Sequence, residues 1–319
     1  MLAINHRTLP EGFRVGHDTD PHGLTGCTVI VLDEDAGASA AGEVRGAAPG
    51  TREFDLLSPA STTAGVQALL FTGGSAFGLR AAEGVVATLL EAGRGHPTPV
   101  GPVPLVPAVV VFDLPLGSAQ ARPDADAGAR ALRAAGRTVA RGSVGAGTGC
   151  TVGKLLGPRG WTRGGLGYAA ARAGAITVGA LAVVNALGEV LGEHGEVLAG
   201  VFSRGRYRRS VELLAGGSAL TPGAREATTL VAVVTDASLT KVQAWAVARA
   251  ASAGLAQAVT PTATAFDGDV AVCLASGRRE PGEPFVIGAL AGHLVAAAIR
   301  DGVRQATSAP GCPSAADRA

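Results

Sequence analysis

Short, dense runs of apolar residues alternate with polar, glycine-rich breaks along the whole chain. The strongest run is Ala227-Thr228-Thr229-Leu230-Val231-Ala232-Val233-Val234-Thr235-Asp236. It follows the turn-rich stretch Gly216 to Glu226, which has no apolar period, and its valines and threonines predict a buried strand. Two hydroxyl residues, Thr228 and Thr229, thus stand where an exposed loop meets a core strand. Further strands are predicted at Cys27–Leu32, Ala68–Thr72, Val106–Phe112, Leu181–Val190 and from the Asp267-Gly268-Asp269 turn through Leu274. Apolar residues at helical spacing predict helices over Leu79–Leu90, Ala127–Ala135, Leu239–Val259 and Phe285–Ala306. In the third of these, Leu239, Val242, Trp245, Ala246, Leu255 and Val259 are expected to face inward. Ser308 to Ala319 reads as a loose tail. Strands and helices alternate without a Rossmann-type or internal repeat. That order predicts a single α/β or α+β domain over residues 1–319, with helices covering sheets.

Composition narrows the classes. At 319 residues the chain can bury an extended core, and 47% apolar with 17% charged residues marks a globular protein. A net charge of +1 without a basic block leaves no electrostatic footprint for nucleic acid or an anionic membrane. The four cysteines, Cys27, Cys150, Cys273 and Cys312, show no paired spacing, and the six histidines form no His-x-x-x-His pair. Neither a metal site nor a cofactor is expected. No apolar run of signal-peptide or membrane-spanning length is read from the sequence, so the expected location is cytoplasmic. The 47 glycines are clustered, which points to tight turns or close backbone approach.

Several short patterns carry candidate chemistry. Gly73-Gly74-Ser75-Ala76-Phe77-Gly78 joins a strand to a helix, a layout that can aim backbone N–H groups at an anion. It is not a nucleophile elbow, because Phe77 occupies the second glycine of Gly-x-Ser-x-Gly. Gly142 to Lys154 ends in Gly-Lys, but Thr148 and Leu155 break the phosphate-loop pattern. Lys154 is still conspicuous, since the glycines before it allow its ammonium close approach to a backbone or substrate. Asn185 sits inside an apolar strand and must be hydrogen-bonded, either as a structural amide or as a fixed donor to an oxyanion. The acidic triplet Asp33-Glu34-Asp35 reads as a solvated turn. Asp267 and Asp269 form a hairpin turn or, if buried together, raise one another's pKa or face a cation such as Lys154.

Taken together, Val15-Gly16-His17, Pro49 to Glu53, Thr72 to Leu79, Gly145 to Gly149 with Gly153-Lys154, Val184-Asn185-Ala186, Thr228-Thr229 through Thr235-Asp236, and Asp267-Gly268-Asp269 resemble one family, in its order and across nearly the whole chain. It is the family of self-processing amidases containing the DmpA-type aminopeptidases, the β-peptidyl aminopeptidases and the nylon-oligomer hydrolases, peptidase family S58. The set Lys154, Asn185, Thr228, Asp267 and Asp269 is most similar to the nylon-oligomer branch. The aminopeptidase branch favours serine as nucleophile and a Ser-Gly-Glu turn.

The resemblance implies an α+β fold, a four-layer αββα sandwich of the DmpA/ornithine acetyltransferase type. It also implies self-cleavage between Ala227 and Thr228, giving an α segment 1–227 and a β segment 228–319 that stay associated. Thr228 would then attack amides with its own α-amino group, near pKa ~8, as base. Lys154 would keep that base neutral, Asn185 would donate to the oxyanion, and Asp267 with Asp269 would orient Lys154 or the amine. Thr228 and Asp236, eight residues apart, are expected on one strand face, which favours Thr228 over the alternative nucleophile Thr229. Ala227 departs from the nylon-oligomer branch, where asparagine precedes the nucleophile.

The expected activity is hydrolysis of linear amides, with 6-aminohexanoate oligomers or polyamide as leading substrates. Alternatives within the fold are an aminopeptidase or β-peptidase, or acyl transfer to an amine such as ornithine. The non-enzyme alternative is an unprocessed structural oligomer. A homo-oligomer, a tetramer or larger ring, is expected by resemblance only.

Overall fold

The computed structural model describes residues 2–34, 38–218 and 226–318. Most of the turn-rich stretch before Thr228, and Asp35 of the acidic triplet, fall outside them. Two five-stranded sheets form the frame. The first runs in the spatial order Phe13–Asp20, Thr25–Leu32, Ala68–Thr72, Ala108–Val110, Thr51–Arg52. The second runs Ser39–Val44, Val270–Ala275, Thr228–Thr235, Ile176–Asn185, Gly165–Ala173. In the second sheet Thr228–Thr235 is central. It is parallel to Val270–Ala275 and antiparallel to Ile176–Asn185, with Thr228 directly opposite Asn185.

Period-two alternation decides what each sheet face meets. Leu230, Ala232 and Val234 pack between the sheets with Phe13, Ile30, Leu69 and Phe71 of the first sheet. Val231 and Val233, one residue out of phase, pack against helices on the opposite face. Those helices are α4 (Lys241–Ala251), α5 (Ala253–Ala258) and α6 (Pro284–Gln305). On the far side of the first sheet, α1 (Ala81–Glu91) and α2 (Ala125–Arg133) cover Val29, Val31 and Leu70. A sixth helix, α3 (Ser210–Ala215), lies just upstream of the undescribed stretch. The order of layers is helix, sheet, sheet, helix: the αββα sandwich.

Several elements differ from expectation for identifiable reasons. The Leu181–Val190 run breaks at Leu187-Gly188, so one strand ends at Asn185 and another begins at Glu189. Only Ala108–Val110 of the Val106–Phe112 run pairs as a strand. The expected helix from Leu79 opens as a 3-10 turn over Ser75–Arg80 before becoming α1. The Leu239–Val259 helix divides at Ser252, and its inward face holds only in part. Leu239, Leu255 and Val259 are buried as expected, but Val242 and Ala246 are exposed, and Ala244, Val247, Ala248 and Ala251 are buried in α4 instead. Small side chains let α4 lie close to the sheet, so alanine does the packing where larger residues were expected.

The Asp267-Gly268-Asp269 turn is no hairpin: it leads into a strand parallel to its neighbour, with Ala227 bridged to Asp267. Helix α6 is long and apolar enough to cross a membrane by length and composition, contrary to the sequence reading, but 72% of its most apolar window is buried inside the fold. Within the described residues, 308–318 are not a loose tail. Cys312 and Ser314 are buried, and the Arg163 N–H donates to the Pro313 carbonyl at 3.0 Å.

Candidate active site

The five expected residues converge at one end of the second sheet, and all are buried. Thr228 opens the central strand, and its neighbour Ala227 is held on two sides. The Ala227 N–H donates to the Phe266 carbonyl at 3.2 Å, and the Ala227 carbonyl accepts from the Gly268 N–H at 2.8 Å. The same carbonyl accepts from Thr228 Oγ1 at 2.6 Å. Gly268 is required here by close approach, since a Cβ at this position would lie 2.8 Å from Thr228 Oγ1 and 2.9 Å from the Ala48 carbonyl. Thr228 faces a cavity of about 110 Å³ whose wall includes Ser75, Phe112, Glu226, Ala227 and Phe266. Thr229 points to the other face of the strand, and its hydroxyl is buried without a hydrogen-bond partner.

Lys154 reaches the site from a loop pinned to the neighbouring strand connection, where its N–H donates to the Leu187 carbonyl at 2.8 Å. Its ammonium donates to Asn185 Oδ1 and to the Glu226 carbonyl, each at 2.9 Å. Burial pulls its pKa down from 10.5 to about 8, against the opposing pull of Cys150, Asp267, Asp113 and Glu226. Asn185 Oδ1 also accepts from the Thr151 N–H at 3.1 Å, while its Nδ2 donates to the Phe112 carbonyl at 3.0 Å. In the intact chain, then, Asn185 serves Lys154 and Phe112, and the donor to the Ala227 carbonyl is the backbone N–H of Gly268.

The two carboxylates also do something other than bind Lys154 directly. Asp269 Oδ1 accepts from the Thr229 N–H at 2.6 Å, and Oδ2 accepts from the Thr262 hydroxyl and the Ala263 N–H. Asp267 Oδ2 accepts from the Thr264 N–H and hydroxyl. Burial, and then the charge of Asp267, lift the Asp269 pKa to about 6. Asp236 takes no part. It accepts from the Thr177 N–H beyond the far end of the strand, roughly 25 Å from Thr228 at ~3.3 Å per residue.

Asp113, absent from the sequence reading, is a buried carboxylate under the Gly73-Gly74-Ser75 turn. It accepts from the Thr25 hydroxyl and the Gly74 N–H, each at 2.7 Å, and burial raises its pKa. It and Lys154 line the same narrow crevice. The signal that could have found it is an aspartate placed directly after the apolar run Val106–Phe112.

With this geometry in place, comparison with known proteins is decisive. The sequence model of peptidase family S58 matches residues 9–312. The chain belongs to peptidase family S58. This S58 protein is 39% identical to an uncharacterized aminopeptidase of Mycobacterium bovis over 98% of both chains. It is 30% identical to the 6-aminohexanoate-oligomer endohydrolase of Paenarthrobacter ureafaciens, over 81% of this chain and 71% of that one. Resemblance to the nylon-oligomer branch is thus real but more distant than resemblance to the aminopeptidase. Among solved structures, the L-aminopeptidase D-Ala-esterase/amidase of Ochrobactrum anthropi, described as a variant of the Ntn hydrolase fold, superposes with a TM-score of 0.71 at 16% identity. The match covers 99% of this chain and 94% of that one. By family the chain is a peptidase-type hydrolase, and its αββα sandwich is the Ntn hydrolase fold.

Proposed function

We propose that the chain cleaves itself between Ala227 and Thr228 and then hydrolyses linear amides through an acyl-enzyme on Thr228. In self-processing, Thr228 Oγ1 attacks the Ala227 carbonyl carbon, the C–N bond breaks, and the hydroxyl proton ends on the freed Thr228 nitrogen. Water then hydrolyses the ester, leaving Ala227 with a carboxylate and Thr228 with a free α-amine. The observation that carries this reading is the junction itself. The Thr228 hydroxyl lies against the carbonyl of the bond to be broken, and the Gly268 N–H points at the oxygen where negative charge develops.

In the processed protein the Thr228 amine acts as base. The buried positive charge of Lys154 holds that amine neutral, Asn185 orients Lys154, and Asp269 fixes the backbone beside the nucleophile through the Thr229 N–H. Asp267 contributes a neighbouring negative charge.

The test is the intact mass of the purified protein beside Thr228→Ala. Two fragments, the smaller beginning at Thr228, are expected from the native sequence and one full-length chain from the variant. One uncleaved chain in both, after long incubation, overturns the reading. Two amide classes follow for screening. The similarity to the endohydrolase of P. ureafaciens supports 6-aminohexanoate oligomers, and the higher identity to the M. bovis aminopeptidase supports aminoacyl amides.

A further inference from the structure

The acyl group that Thr228 first carries is its own chain, ending in Glu226-Ala227. The shift moves one carbonyl carbon between two atoms of the same residue, from Thr228 N to Thr228 Oγ1, so the acyl segment can stay where it is. The uncleaved Glu226-Ala227 segment is thus a cast of an acyl-enzyme. Every backbone group of Ala227 is held, its N–H by Phe266 and its carbonyl by Gly268. Ala227 is 2% exposed as a residue, clustered with Leu155, Leu187, Val201 and Leu213. One residue upstream, the Glu226 carbonyl accepts from Lys154. The Glu226 carboxylate, by contrast, has a buried oxygen, Oε2, with no hydrogen-bond partner. The site grips the backbone of two residues and one small side chain, and meets the upstream carboxylate through the charge of Lys154, with no hydrogen bond to Oε2.

We infer that the acyl site takes linear amides of N-acylated, small aliphatic amino acids, of the form acyl-Ala-NH-R. The alanyl methyl fills the Leu155–Leu187–Val201–Leu213 pocket, its N–H donates to Phe266, and the carbonyl of the blocking acyl group accepts from Lys154. A free N-terminal amine removes that carbonyl and sets a second cation beside the buried Lys154, where like charges repel. Thr228 Oγ1 forms the ester as the C–N bond breaks, and its proton passes through the Thr228 amine to the departing amine. Water then releases acyl-alanine. This inference rests on Thr228 being the nucleophile.

The test uses the fully processed protein with three p-nitroanilides: N-acetyl-alanyl, free alanyl and N-acetyl-phenylalanyl. Loss of one charge-assisted hydrogen bond corresponds to about tenfold or more, so kcat/KM for N-acetyl-alanyl is expected to exceed that for free alanyl by at least about that factor. N-acetyl-phenylalanyl is expected to be the poorer of the two blocked substrates. Equal or faster turnover of free alanyl overturns the inference and leaves the Thr228 amidase intact. A processed chain that turns over none of the three overturns it as well, with self-cleavage still in place. A chain that never processes removes the reading beneath it.

Discussion

Lys154 is a lysine enclosed by protein, with a pKa drawn down to about 8 from 10.5 by burial. Between those values the unfolded chain holds a proton that the folded chain has lost, so this group's contribution to stability rises as pH climbs from about 8 to 10.5. Below that window the charged ammonium is buried at a cost. In the uncleaved Thr228→Ala background, Lys154→Met is expected to raise Tm most near pH 7, and the gain should shrink steadily toward pH 10. A constant gap across that range would mean that Lys154 is not a buried titrating cation. At this scale the sequence was informative wherever chemistry sits in a side chain with a conspicuous address. Lys154 after a glycine run, Asn185 in an apolar strand, and the paired aspartates were all legible. The Gly268 donor and the Phe266 and Glu226 acceptors were not, because a backbone group has no signature until the fold aims it. Nor was the orientation of the Asn185 amide, which Phe112 and Thr151, distant in sequence, set between them.

At the level of elements, the valine-rich strands announce themselves, whereas the helix contacts are made by residues too small to show in an apolar period. Helices α1 and α2 are the clearest instance. A Cβ on Gly84 would lie 1.7 Å from the Ala125 carbonyl, and a Cβ on Gly128 would lie 1.9 Å from the Ala81 carbonyl. Each helix is therefore in backbone contact with the other, through a glycine on each side. Glycine in a helix interior costs about 1 kcal/mol relative to alanine, so Gly84→Ala would be favourable in an isolated helix. Here the methyl must separate the pair, at a typical overpacking cost of about 1–3 kcal/mol. Urea unfolding of Gly84→Ala is expected to show a net loss of stability. A gain would mean that the two helices are free to part. The clustered glycines, visible in composition, thus have a packing role that no single motif revealed.

Across the whole molecule, the C-terminal segment closes the loop that supplies Lys154. Arg163, 1% exposed, donates to the carbonyls of Thr148 and Thr307 and to the Ser143 hydroxyl, and its N–H meets the Pro313 carbonyl. Arg318 donates to the Trp161 carbonyl at 2.7 Å, and the Trp161 ring N–H points to the Lys154 carbonyl at 3.5 Å. Cys312 is buried against the same strand end. A polar, proline- and serine-containing end looked detached in the sequence because its partners, Arg163 and Trp161, lie about half the chain away. Deleting residues 308–319 uncovers Arg163 and frees the 154–163 loop. The loss of two or three buried hydrogen bonds amounts to roughly 2 kcal/mol. In a chain of this size that corresponds to a Tm lower by about 3 °C. Self-cleavage should slow with it, since Lys154 loses the support of its loop. If the deletion does not fold, Arg318→Ala is the milder variant, with a smaller Tm loss in the same direction. A truncated chain that melts and processes like the full one would mean that the segment covers the site without holding it.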